Sequence, residues 1–114
     1  PQHFVLCSQC NYNYVMHLEW DERKDQRNRI KHGVSFETAC LVFEDPNHLA
    51  IQDRHEGDEE RWQTLGLAGG IVVLLVAHTW REEDNGQEVI RIISARKATA
   101  RERRRYEQGN PTAG

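Results

Sequence analysis

Apolar and polar positions change period several times along this chain, and each change marks an element. Ile71 to Ala77 is an unbroken apolar run, as expected of a central strand covered on both faces, and the strand it predicts reaches Trp80. Residues 89–96, Val-Ile-Arg-Ile-Ile-Ser-Ala-Arg, are rich in β-branched side chains that fit a pleated, half-buried surface, so a second strand is expected there. A strict period of two would put Ile90, Ile92, Ser94 and Arg96 on one face and Val89, Arg91, Ile93 and Ala95 on the other. Arg61–Leu67, Leu49–Gln52 and His17–Trp20 read as further strands. Asp21 is a suitable N-cap for a helix through Lys31 or His32 that Gly33 closes. That helix is mostly polar, and Trp20, Ile30 and the stems of its long basic side chains must supply much of its packing. Ser35 caps a second helix, whose Phe36, Ala39, Cys40 and Phe43 recur at helical spacing; Pro46 ends it by lacking the next backbone donor. Thr99 followed by Glu102 forms a capping box for a last helix, to about Gln108 and Gly109.

Between these elements lie turn signals at Gly69-Gly70 and Asp84-Asn85-Gly86, and an acidic loop from Asp53 to Glu60. The order β-α-α-β-β-β-β-α implies an α+β domain, an antiparallel β-sheet packed by two N-terminal helices and a C-terminal helix. At 114 residues one domain is expected, over residues 16–109. Residues 1–15 show no periodicity and precede Met16, so they read as a non-native or disordered leader, and 110–114 as a frayed tail. Cys7 and Cys10 have metal-ligand spacing with His3 and His17 nearby, but this is half a zinc site and no second pair follows. Neither a metal nor a cofactor is expected. Cys40 reads as a small core residue, and the absence of a disulfide framework points to the cytoplasm. The longest apolar run falls far short of the roughly 20 residues that a bilayer needs.

Charge changes the picture more than composition does. The net charge is -3, yet eight acids face one cation between Glu37 and Glu60, whereas seven cations face Glu102 between Arg91 and Arg105. A cationic face and an acidic face can coexist in a small domain. The chemical material is cationic: Lys31, His32, Arg61, His78, Arg91, Arg96 and Arg101, with Ser94, Thr79, Trp80 and Tyr106 as polar or stacking neighbours. Such groups suit RNA cleavage without a metal. Guanidinium groups stabilise charge gained by the phosphorane-like transition state through bidentate contacts. Arginine stays protonated, so proton transfer falls to His32, His78, Tyr106 or a carboxylate such as Glu107. A non-catalytic nucleic-acid-binding or regulatory module would use the same cations.

Glu19-Trp20-Asp21, Asn28 with Lys31-His32-Gly33-Val34-Ser35-Phe36, Phe43 with Asp45-Pro46, and Arg91-Ile92-Ile93-Ser94-Ala95-Arg96 together resemble the BrnT toxins of bacterial type II toxin-antitoxin systems. The resemblance covers Met16 to about Gln108. It implies a RelE-like fold, a metal-independent endoribonuclease that inhibits translation, and a BrnA-like antitoxin with a ribbon-helix-helix DNA-binding domain. Pairing of that antitoxin would give a 2:2 complex that reaches operator DNA through the antitoxin. Carried over by motif, Arg61, Arg91, Arg96, Lys31 and His32 are the catalytic candidates; His78 joins them, and Arg101, Ser94, Trp80 and Tyr106 are the RNA-binding candidates, as cationic, polar or stacking groups in their own right. Alternatives stand beside several of these: Lys31-His32 as a helix stop, His78 as a satisfied polar residue at a strand end, Trp80 as core. The long acidic turn from Arg81 to Glu88 departs from the family pattern.

Overall fold

The computed structural model describes residues 2–6, 15–56 and 59–109. The chain runs β1 (Gln2–Leu6), β2 (Val15–Glu19), α1 (Glu22–His32), α2 (Phe36–Ala39) continuing as a 3-10 turn (Cys40–Glu44), β3 (Leu49–Glu56), β4 (Glu59–Ala68), β5 (Val72–Glu82), β6 (Glu88–Lys97) and α3 (Ala100–Gln108). One six-stranded sheet has the order β1-β2-β6-β5-β4-β3. The fold is α+β as expected, but the sheet is mixed, because β2 runs parallel to β6. Local patterning specifies which residues form β2 but not the direction of the strand beside it.

Caps fall where the sequence places them. Asp21 accepts from the Arg23 amide and Ser35 from the Thr38 amide, while Thr99 and Glu102 complete the capping box of α3. Phe36, Ala39, Val42 and Phe43 pack with Leu18, Leu74, Val76, Ile90 and Ile92 into the main core, between the sheet and α2 with its 3-10 turn. The 3-10 turn lies tight on β4: a Cβ at Gly66 would meet Val42 Cγ1 at 2.5 Å. A smaller cluster of Leu65, Leu75 and Ala98, with Leu49, Val73 and Tyr106 against it, joins α3 to the opposite face.

Further expectations change, among them the packing of α1, whose Ile30 is 87% exposed. The acidic segment 53–60 is largely strand, β3 and β4 continuing to Glu56 and Glu59; charge in the sequence does not by itself prevent backbone pairing. Gln2–Leu6, inside the expected leader, forms β1 against β2; the Cys7–Cys10 pair and the 110–114 tail lie outside the described residues. Finally, β6 carries a bulge: Ala77 and His78 are consecutive on β5, whereas their partners Ser94 and Ile92 are two apart. The extra residue Ile93 shifts the alternation, so Ser94 and Arg96 share the face of Arg91 and not that of Ile90 and Ile92.

Candidate active site

Directly opposed residues in a sheet project to the same face. Arg61 of β4 opposes Thr79 of β5, and Thr79 opposes Arg91 of β6, so two guanidinium stems flank a buried threonine in one row. The next rows hold Gln63, Ala77 and Ser94, then Leu65, Leu75 and Arg96. The bulge therefore gathers Arg61, Arg91, Ser94 and Arg96 on one face. Helix α3 covers its Leu65–Leu75 end; at the other end Arg91 is exposed and Arg61 half-buried. Beyond Arg91 the row continues to Glu19 on β2, whose carboxylate lies 3.3 Å from the Arg81 guanidinium.

The arginines of this face differ in commitment. Arg96 binds Glu102 through both prongs, at 2.8 and 3.0 Å, and Glu102 also accepts from the Thr99 amide. The hydrogen bond from Arg96 holds the Glu102 carboxyl down at about 2, well below the usual carboxylate range. Arg96 thereby clamps the start of α3 to the sheet. Arg91 has no ion-pair partner among the described residues.

Lys31 and His32 end α1 and line a groove of about 260 Å³ with Lys24, Arg27, Asn28, Ile93 and Ser94. Asn28 builds this junction. Its side-chain amide donates to Ala95 O at 2.7 Å and accepts from Ala95 N at 3.1 Å, as a neighbouring strand would, and also donates to Val34 O at 2.8 Å. The half of β6 that extends beyond the short strand β2 is thus closed by a side chain, and α1 is pinned beside it.

His78 and Trp80 do not join the arginines. They project to the opposite face, into an apolar cavity of about 290 Å³ that Trp62, Thr64, Phe43 and Glu88 also line. His78 is 4% exposed; its Nδ1 donates to the Thr79 carbonyl at 3.0 Å, so Nε2 accepts from the Thr64 hydroxyl at 2.7 Å. Burial pushes its pKa down to about 4. Trp80 donates its indole N–H to Glu88 at 3.1 Å. Tyr106 is likewise engaged: its hydroxyl donates to Asp45, which also accepts from the Leu67 amide at 2.8 Å, and burial with this bond raises the phenol to about 12. Arg101 lies exposed on α3. The expected proton-transfer roles of His78 and Tyr106, and stacking by Tyr106, therefore meet groups already engaged in packing.

The buried histidine has a thermodynamic consequence. Its folded pKa lies below the unfolded value near 6.5, so acid protonates the unfolded chain first and stability falls as pH drops from about 6.5 towards 4. A gap of this size corresponds to roughly 3 kcal/mol. Urea unfolding across that range is expected to show the loss, and His78→Gln to remove most of it. An unchanged slope in the variant would assign the acid sensitivity elsewhere.

A family model described as the ribonuclease toxin BrnT of type II toxin-antitoxin systems matches residues 20–102, most of the chain. The chain belongs to the BrnT family. The crystal structure of the Brucella abortus ribonuclease toxin BrnT is similar over 72% of this chain and 95% of that one, at 24% identity and a TM-score of 0.46. No curated protein matches the chain. BrnT proteins are ribonuclease toxins, and membership in a type II system implies an antitoxin partner. Among the described residues no helix is long and apolar enough to cross a membrane.

Within this BrnT domain, sequence reasoning missed Glu19 and Arg81 at the end of the arginine row, and Lys24 and Arg27 in the groove. Glu19 stood in a recognised motif, but only the parallel β2–β6 pairing aligns it with Arg91. The signal for Lys24 and Arg27 was their helical spacing from Lys31, seven and four residues before it along α1.

Proposed function

We propose that this chain is a metal-independent endoribonuclease toxin that inhibits translation by cutting RNA in the cytoplasm, in the manner of RelE-like toxins. The observation that carries the reading is the row Arg61–Thr79–Arg91 with Ser94 beside it on one sheet face. A scissile phosphate seated there receives two guanidinium groups, which stabilise the charge that its non-bridging oxygens gain as the 2′-hydroxyl attacks. Arginine moves no proton at neutral pH. In this reading Glu19, on the same face, takes the 2′-hydroxyl proton, and His32, which lines the groove that Ser94 also lines, protonates the leaving 5′-oxygen. Arg96 acts through the Glu102 clamp, while Arg101 adds to the positive surface. Attack by the 2′-hydroxyl leaves a 2′,3′-cyclic phosphate and a free 5′-hydroxyl.

The partner in this reading is a BrnA-like ribbon-helix-helix antitoxin that covers the cationic face; its own pairing would give a 2:2 complex that reaches operator DNA through the antitoxin. The test is cleavage of single-stranded RNA by toxin freed from its antitoxin, in the presence of a chelator. Cyclic-phosphate ends are the expected result. Complete dependence on a divalent ion would overturn the metal-free mechanism. Tight RNA binding with no cleavage would favour a non-catalytic nucleic-acid-binding module.

A further inference from the structure

The groove between α1 and the outer half of β6 has a composition that the arginine row does not explain. Lys24, Arg27 and Lys31 follow at i, i+3 and i+7, so they share one face of α1. Asn28 lies on that same face, and its hydrogen bonds to Ala95 fix which way it turns: towards β6. The acid in this stretch is drawn away. Asp25 is buried, accepts from the Phe36 amide at 2.8 Å and lies 3.7 Å from Arg29 on the next turn. Lys24, Arg27 and Lys31 consequently make no ion pair among the described residues, although the N-cap Asp21 feels the charge of Lys24, whereas Arg29, Arg81 and Arg96 are paired. Exposed, unpaired cations concentrated in a concavity, in a chain of net charge -3, repel one another unless an anion occupies it.

The groove also adjoins the row. Ser94 belongs to both: it lines the groove and shares the sheet face of Arg91, because the bulge turns it there. Arg91 and Ser94 oppose Thr79 and Ala77, two residues apart on β5, a separation of roughly 7 Å along the strand. One nucleotide of an extended strand spans such a distance.

We propose that Lys24, Arg27 and Lys31, with the Ser94 hydroxyl, form a second phosphate subsite that holds the RNA backbone next to the phosphate at Arg61 and Arg91. This rests on the nuclease reading for its substrate and adds a direction: the strand crosses β6 and leaves along α1, not over α3. Lys24 and Arg27 act in binding, through charge and hydrogen bonds to non-bridging oxygens.

The probe is a 2′-O-methyl RNA oligonucleotide, which offers every phosphate but no attacking hydroxyl, so binding is read apart from cleavage. In the full chain, Lys24→Ala/Arg27→Ala is expected to weaken its binding by roughly tenfold or more, and to reduce the slope of log affinity against log salt by roughly 0.7 to 1.4. A charge-matched control, Arg104→Ala/Arg105→Ala on α3, is expected to stay within about twofold of the parent, since local phosphate contacts and not total charge are at issue. All four side chains are exposed, and each variant is expected to fold, which thermal unfolding of the same samples checks. Equal losses in both variants, or an unchanged slope in the α1 variant, would overturn the subsite. So would an α1 variant that binds RNA normally but loses its antitoxin, which would assign the groove to the protein partner. If the parent fails to cut RNA but the α1 variant still loses oligonucleotide binding selectively, the nuclease reading falls and the phosphate subsite stands.

Discussion

Replacing Arg91 with alanine is expected to slow RNA cleavage on the order of a hundredfold while leaving the fold intact, because its guanidinium is proposed to meet charge that develops only in the transition state. The side chain is exposed, and among the described residues it has no ion-pair partner to strand when removed. Arg91→Lys should recover only part of the rate, since an ammonium lacks the planar fork that engages two phosphate oxygens. The measurement is single-turnover cleavage with excess toxin, alongside thermal unfolding of the same samples. Parental rates in Arg91→Ala would sink the assignment of the row as the reaction centre. Arg96→Ala provides the contrast: the loss of the bidentate Glu102 pair should lower thermal stability by loosening α3, and any loss of activity should follow that loosening.

Asn28→Ala is expected to destabilise the protein by about 3 kcal/mol, because it strands several buried groups at once. Removal of the amide leaves the Ala95 N–H, the Ala95 carbonyl and the Val34 carbonyl without the partner they now have. Each stranded buried group costs about 1–3 kcal/mol, and water reaching the exposed edge of β6 recovers part of the sum. A shift in the urea midpoint with an unchanged m-value reads the effect. A loss below about 1 kcal/mol would show that α1 docks on β6 by packing, with the amide incidental. Asn28→Asp separates the two halves of the bridge, since a carboxylate still accepts from Ala95 N but cannot donate to either carbonyl.

Much of the domain was legible because the responsible forces are local. Asp21, Ser35 and Thr99 each satisfy backbone donors at the start of a helix, and Pro46 follows closely on the end of the 3-10 turn, whatever lies elsewhere in the chain. The apolar run of β5 and the β-branched run of β6 required burial, and the structure buries their centres, Leu74 to Val76 and Val89, Ile90 and Ile92, while Ile71 in the turn before β5 stays exposed. The motif that ends in Arg96 marked the region where cations meet a sheet end. Its neighbours in space were another matter.

By itself, then, the sequence determined the elements from β2 to α3, though not the strand at Gln2–Leu6 or the full length of β3 and β4, together with the α+β class and the family. Capping, periodicity and ordered motifs depend on residues close together in the chain. Tertiary structure decided which cations act together. The bulge at Ile93 moved Ser94 and Arg96 to the face of Arg91, because one extra residue reverses the alternation that strict periodicity assumes. Pairing across β4, β5 and β6 aligned Arg61 with Arg91, residues 30 positions apart. The same geometry sent His78 through the sheet into an apolar cavity and tied Tyr106 to Asp45. A histidine or tyrosine looks equally reactive in any sequence; what it can do depends on which face it reaches and which partner meets it there.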